Sequence, residues 1–272
     1  MNIIDLLRYL LLAIIQGISE VLPISSSGHL ALFQALLNTN AGNEAIFALL
    51  LHIGSLFAFL LFFFPIIWRL VIHLIQFVAG KRNDAIQDDM MLIVYLVIAT
   101  IPAALAGYFI KDWIDDLFQS LWIVGVSFYF TASLLFIIPR FAKLSYGQYT
   151  LKNTLISGLF QVLGILPGVS RSGSTLLGSL LGGLTLAKAK EFAFLLFIPI
   201  TLGSFVVSFD RIDRFDSTLL AYSLIATIVS GIVTFITLKL VFQFLNLNHF
   251  KWFGYYLVGV GTFSLILAFL SL

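Results

Sequence analysis

Apolar runs alternate with short polar breaks along the whole chain, and their lengths sort them into two kinds. Residues 3–22 form an apolar segment that ends at Pro23, and residues 30–37 form a short one closed by the turn-like stretch 38–43. A helix covers ~1.5 Å per residue and a bilayer's hydrocarbon is ~30 Å thick, so eight residues cannot cross it. Residues 3–37 therefore read as a helix–loop–helix hairpin that enters a membrane and returns. Irregular backbone survives at such depth only where protein or trapped water satisfies it. Residues 46–64, 91–110 and 121–138 read as spans. Residues 66–79 read as an interfacial helix, with Pro65, Trp68 and Arg69 at the interface. Pro102 predicts a kink, and Lys111 to Asp116 a polar link.

The second half repeats the plan. Two short pieces around Pro167 and Gly168 make a hairpin over 153–186, followed by spans at 192–208, 219–243 and 252–271. A charged loop runs from Asp210 to Asp216. No segment alternates with the period of a strand, so the expected fold is an all-α integral membrane protein. Its two repeats, 1–140 and 150–272, each hold one re-entrant hairpin and three spans. A hairpin returns to its own side and three spans change side, which gives the repeats inverted topology, with broken helices meeting near the midplane.

The polar positions that interrupt the first hairpin are not ordinary loop residues. They read Gln16, Glu20, Pro23, Ser25, Ser26, Ser27, Gly28 and His29. An acid, hydroxyls and an imidazole are costly in hydrocarbon, so they face protein or a wet cavity and point to function. Gln16 and Glu20 share a helix face. Pro23 stops the helix, a serine of 25–27 caps the next one, and Gly28 permits close backbone approach. Laid over this stretch 145 residues later, Gln161, Ser170, Ser172 and Gly173 match Gln16, Ser25, Ser27 and Gly28. The same offset pairs Phe47 to Leu51 with Phe192 to Leu196, and two matches at one offset point to an internal duplication. The second copy has Ile165 in place of Glu20 and adds Arg171.

Composition agrees with the pattern: 60% of residues are hydrophobic, 10% are charged, and mean hydropathy is +1.07. The absence of cysteine excludes disulfides, thiol chemistry and Cys-based metal sites. A net charge of +2 gives no nucleic-acid signal; the basic residues serve to orient the chain in its membrane. Ten of them fall on the side of the 65–90, 139–152, 187–191 and 244–251 loops and four on the other. The positive-inside rule makes the richer side cytoplasmic, so the Glu20 hairpin enters from outside.

Two helix N-termini with unpaired N–H groups form an anion site, and phosphate is its commonest occupant. Arg171 adds a planar charge suited to phosphate oxygens, although pairing with Glu20 is a structural alternative. Ser26 is the first candidate nucleophile and His29 the second, with Glu20 or His29 handling the proton. Gln16 reads either as interhelical glue or as a positioner. Ser25, Ser27, Gly28, Ser170, Ser172, Gly173 and Thr175 complete the candidate binding set. His52, alone on an apolar span, reads as a packing residue. A phosphorylated lipid fits both the greasy shell and the anion site.

Gln16 with Glu20, the run from Pro23 to His29, and Pro167, Gly168, Ser170, Arg171, Ser172 and Gly173 resemble the signature motifs of the undecaprenyl-diphosphate phosphatase family, the bacitracin-resistance BacA/UppP type. The resemblance covers the whole chain. It implies removal of the terminal phosphate of undecaprenyl diphosphate in the bacterial inner membrane; the charge count above makes the site open outward. It places Glu20, Ser26, His29 and Arg171 on the family's functional residues, and Gln16 where many members have a glutamate. It also implies dependence on a divalent cation, magnesium or calcium, for which the motif offers Glu20 with the diphosphate as co-ligand. The expected partners are the prenyl diphosphate lipid and the membrane, with a homodimer left open and no nucleic acid. A transporter or flippase for such a lipid is the rival reading.

Overall fold

The computed structural model describes residues 3–39, 44–142, 147–208 and 217–270. Among these it is helical throughout. In order the helices are α1 (Ile3–Ser19), α2 (Ser26–Leu37), α3 (Glu44–Phe62), α4 (Phe64–Val78), α5 (Asp84–Gln119), α6 (Leu121–Phe141), α7 (Leu151–Leu163), α8 (Arg171–Leu181), α9 (Leu186–Leu195), α10 (Phe197–Ser208), α11 (Ser217–Phe244) and α12 (Leu247–Leu270). Among the described residues five stretches are long and apolar enough to cross a membrane, and α3 with α4 makes a sixth if that bent pair counts as one span. Phe57, Leu61, Phe109, Val126, Ile228 and Phe269 all point outward. An apolar exterior of this extent belongs in lipid, and the protein is a multi-pass membrane protein.

Local chemistry sets the helix ends. Asn83 caps α5 by accepting from the Ile86 amide at 2.8 Å, and Thr150 and Asn153 form a capping box at α7. Asn38 closes α2 in the left-handed region. Pro65 sits in the first turn of α4, where its missing N–H costs nothing. There the axis turns by 71°. Arg69 of α4 grips Asp89 of α5 through two bonds of 2.9 and 3.2 Å, and His73 Nδ1 lies 2.7 Å from the same carboxylate. This cluster pins α4 to its neighbour.

Two elements differ from the sequence expectation. The polar link at 111–116 is no break: α5 continues through it and through Pro102 to Gln119. Helix needs no apolar side chains once it leaves the membrane. The break falls at Ser120, whose hydroxyl caps α6. The span expected at 192–208 begins earlier, as Leu186–Val206, and is broken at Leu196 between α9 and α10. Pro199 has no N–H for the Leu195 carbonyl, which explains the joint. The charged loop at 210–216 and the turn residues 40–43 lie outside the described residues.

The hairpin helices pack against long spans of the other half of the chain, α1 on α11 and α7 on α5, while α6 runs along α12 and α3 along α11. The α3–α11 crossing is very close. A Cβ on Gly54 would fall 2.1 Å from the Thr227 carbonyl oxygen, and one on Gly231 2.8 Å from that of Gly54. Ser55 Oγ bonds Thr234 Oγ1 at 2.9 Å across the seam.

Candidate active site

The first hairpin turns immediately after α1. Glu20 N still bonds the Gln16 carbonyl at 2.9 Å, so both side chains keep the helix face expected from their spacing. Ser25 then caps α2, its Oγ accepting from Gly28 N at 3.3 Å. Ser25 adopts φ 69°, a left-handed conformation that costs a non-glycine residue energy. The second hairpin turns through Gly168, at φ 86°, where glycine carries no such penalty. Ser170 caps α8 with ordinary φ, accepting from Gly173 N at 3.1 Å. Each cap also lies 3.3 Å from a second serine hydroxyl, Ser27 in one loop and Ser172 in the other.

The two tips touch reciprocally. A Cβ on Gly28 would fall 2.7 Å from the Gly168 Cα, and one on Gly173 3.4 Å from the Pro23 Cβ. Gly28 and Gly173, like Pro23 and Gly168, are 145 residues apart. The first amides of α2 and α8, at Ser26, Ser27, Arg171 and Ser172, lie outside their own helices' ladders.

Between the tips lies a cavity of about 140 Å³. Glu20 stands at its wall, nearly buried, with both carboxylate oxygens engaged. Oε1 accepts from Arg171 Nη2 at 2.6 Å. Oε2 accepts from Ser26 Oγ at 2.7 Å and Gln16 Nε2 at 2.7 Å, and His52 Nε2 stands 3.1 Å away. The Arg171 guanidinium lies 4.5 Å over the ring of Phe197. Gly164 makes room for the start of α8, since a Cβ there would come within 2.5 Å of the Arg171 Cα.

Glu20, Ser25, Ser26, Ser27, Ser170, Arg171 and Ser172 line this cavity, joined by His52 and Ile165. His29 does not line it. Its Nδ1 faces the Ser25 carbonyl at 2.8 Å, and a carbonyl can only accept, so Nε2 is left to meet the Tyr256 hydroxyl at 2.8 Å. Its ring stacks on that of Tyr256, 5.6 Å away. Thr175 is buried and bonds back to the Arg171 carbonyl at 2.8 Å. Gln16 is fully buried behind Glu20, with Oε1 unpartnered among the described residues. Gly28 and Gly173 contribute backbone and close contact rather than lining.

His52 corrects the sequence reading, since it touches the site carboxylate instead of merely packing. Its one sequence signal was position: it directly follows the duplicated block from Phe47 to Leu51.

The residues around Glu20 do not fit a resident cation. Every group on the carboxylate is a donor, and two of them belong to basic side chains. Hard divalent cations take several oxygen ligands, and no group of three or more His, Cys, Asp or Glu able to hold a metal occurs among the described residues.

Fold and site together define a polytopic helical membrane protein with a polar cavity at two facing helix N-termini. The chain belongs to the family described as "Bacitracin resistance protein BacA", whose pattern matches residues 9–263. It is similar to undecaprenyl-diphosphatase 2 of Bacillus thuringiensis, 37% identical over 264 residues, covering 96% of this chain and 97% of the relative. It is also similar to undecaprenyl-diphosphatase 1 of Bacillus licheniformis, 35% identical over 273 residues, covering 98% and 100%. An undecaprenyl-diphosphatase of Acholeplasma laidlawii is 34% identical over 279 residues, covering 97% and 98%.

Proposed function

We propose that this protein hydrolyses undecaprenyl diphosphate to undecaprenyl phosphate and phosphate in the bacterial plasma membrane, returning the lipid carrier to cell-wall synthesis. The observation that carries this reading is the 2.7 Å contact between Ser26 Oγ and Glu20 Oε2, beside Arg171, in a cavity between two helix N-termini. A hydroxyl, a base within hydrogen-bond reach and an anion clamp are the parts that phosphoryl transfer to a serine needs. The names of the relatives agree with it.

The terminal phosphate enters between the Ser26–Ser27 and Arg171–Ser172 amides, where positive helix ends favour it. Arg171 turns from Glu20 to the phosphate oxygens, a bidentate fit. Ser26 Oγ attacks phosphorus as Glu20 Oε2 takes its proton. The bridging P–O bond breaks and its electron pair leaves on the prenyl monophosphate, which as a phosphate dianion needs no proton. Glu20 releases the serine's proton to water; when a water molecule then attacks the phosphoserine, Glu20 takes one of its protons and passes it to Ser26 Oγ as that oxygen leaves. Gln16 and Ser25 hold the acid and the loop. Where magnesium or calcium takes part, the diphosphate oxygens would supply most of its ligands. One chain supplies Glu20, Ser26 and Arg171, so this reading does not need a second copy.

The architecture this reading uses is an inverted repeat of two re-entrant hairpins. It is supported by the matched motifs, by the reciprocal tip contacts, and by the exchange of α1 on α11 for α7 on α5. The charge count places the Glu20 hairpin on the outer face, so the cavity opens outward and the prenyl chain leaves sideways into lipid.

The test is phosphate release from the lipid diphosphate by purified protein in detergent, where transport is meaningless, followed by trapping and mapping of a phosphorylated residue. Label on Ser26 is expected. No release at all would end the phosphatase reading. Orientation is tested by single cysteines at Ser27 and Ser172, probed in intact cells with a membrane-impermeant thiol reagent. Labelling only after the inner face is exposed would reverse it.

A further inference from the structure

The steps above leave Glu20 with a problem. Among the described residues Oε1 is bonded by Arg171 alone, and once Arg171 turns to phosphate, that oxygen is released. A carboxylate that has lost a partner can rotate, and the catalytic oxygen must keep its aim at Ser26. The hold must come through Oε2, where Gln16 and His52 join Ser26.

His52 is the more firmly placed of these. Its Nδ1 donates to the Ala48 carbonyl at 2.7 Å, which fixes the ring's rotation. Its helix is fixed in turn. Ser230 Oγ bonds the Leu51 carbonyl at 3.0 Å, Thr227 Oγ1 bonds that of Leu50 at 3.1 Å, and Gly54 leaves no gap against α11. Nε2 then reaches Glu20 from a third element, independent of both hairpins. The position 145 residues later is Phe197, the ring beneath Arg171. The two matched positions thus each support one member of the Glu20–Arg171 pair.

We propose that His52 is a positioning residue for the hydrolysis: its Nε2 holds the Glu20 carboxylate aimed at Ser26 while Arg171 is on the phosphate. This rests on the roles given above to Glu20 and Ser26. It acts after the lipid has bound, so its loss should lower kcat and leave KM nearly unchanged.

The test compares two neutral amides of different reach. In His52→Gln the amide nitrogen reaches about as far as Nε2, whereas in His52→Asn it reaches only about as far as Nδ1 and falls short of Glu20. Phosphate release from the lipid diphosphate would be measured for both, with wild type and Glu20→Gln alongside, and thermal unfolding would check that each is folded. Losing one contact to a charged group lowers kcat roughly ten- to a hundredfold. That loss is expected in His52→Asn, with KM within about threefold of wild type, while His52→Gln recovers most of the rate. Wild-type kcat in folded His52→Asn overturns the proposal. Equal loss in both folded variants overturns it too, since a donor at the right reach would then not suffice. Should both amides fail to fold, His52→Lys supplies a charged donor of longer reach; folded but inactive, it overturns the proposal, and active, it supports it. Absence of release by wild type would instead overturn the phosphatase reading, and His52's role with it.

Discussion

The two hairpins put different chemistry at the same positions. Ser26 and Arg171 are each the first residue of the helix after a capping serine, and both bind Glu20, one on each oxygen. Glu20 and Ile165 match in the motifs and line one cavity, yet only one is charged. Ser25 holds its turn at φ 69° and Ser170 at φ −73°. Thr131 steadies the second loop, bonding Ser170 N and the Gly168 carbonyl, while Tyr256 reaches the first loop through His29. On the proposed mechanism, two similar helix-start turns make a reactive site only by diverging. On that mechanism a second acid at 165 would repel phosphate, and a second arginine at 26 would leave no nucleophile.

The comparison breaks most completely at the acid. Glu20→Gln should lower phosphate release on the order of ten thousandfold while the protein stays folded by circular dichroism. Near-normal turnover would remove Glu20 as base. Next is the hydroxyl. Ser26→Ala should lose on the order of a thousandfold, whereas Ser25→Ala and Ser27→Ala lose far less, because caps contribute stability and a nucleophile contributes chemistry. If Ser26→Ala keeps most of its rate, attack comes from water. Arg171→Lys retains charge but not the planar fork, and should lower kcat/KM roughly ten- to a hundredfold. Equal specificity constants would count against the clamp.

The smallest effect separates the two caps. Ser170→Ala should cost about 1 kcal/mol in thermal unfolding, as a lost N-cap does. Ser25→Gly should change stability by less than about 0.5 kcal/mol, because glycine caps almost as well and takes a positive φ freely. Equal losses would show that Ser25 carries no strain of its own.

Much of this was readable along the chain because the decisive signals are local. Pro23 and Pro167 stop helices, serines two or three residues on restart them, and Gln16 reaches Glu20 across one turn. What escaped reading depends on packing at a distance. His29 follows Ser25 by one turn, but its direction is decided by Tyr256, 227 residues away. His52 looks like any histidine on an apolar helix until α11 fixes which face α3 presents. The break at Leu196 did have a local cause in Pro199, but the apolar pattern runs through it without interruption.

The contact between Glu20 and Arg171 also bears on how the enzyme sheds what it makes. The resting site already holds an anion of its own. Free orthophosphate has no prenyl tail to add binding energy, so it must displace a 2.6 Å ion pair by charge alone. The lipid diphosphate draws on its tail as well. Once the tail has departed and water has freed the phosphate from Ser26, the carboxylate is the better-placed competitor for the guanidinium. In the proposed cycle it closes back onto Arg171 and displaces the phosphate, so product inhibition by phosphate should be weak.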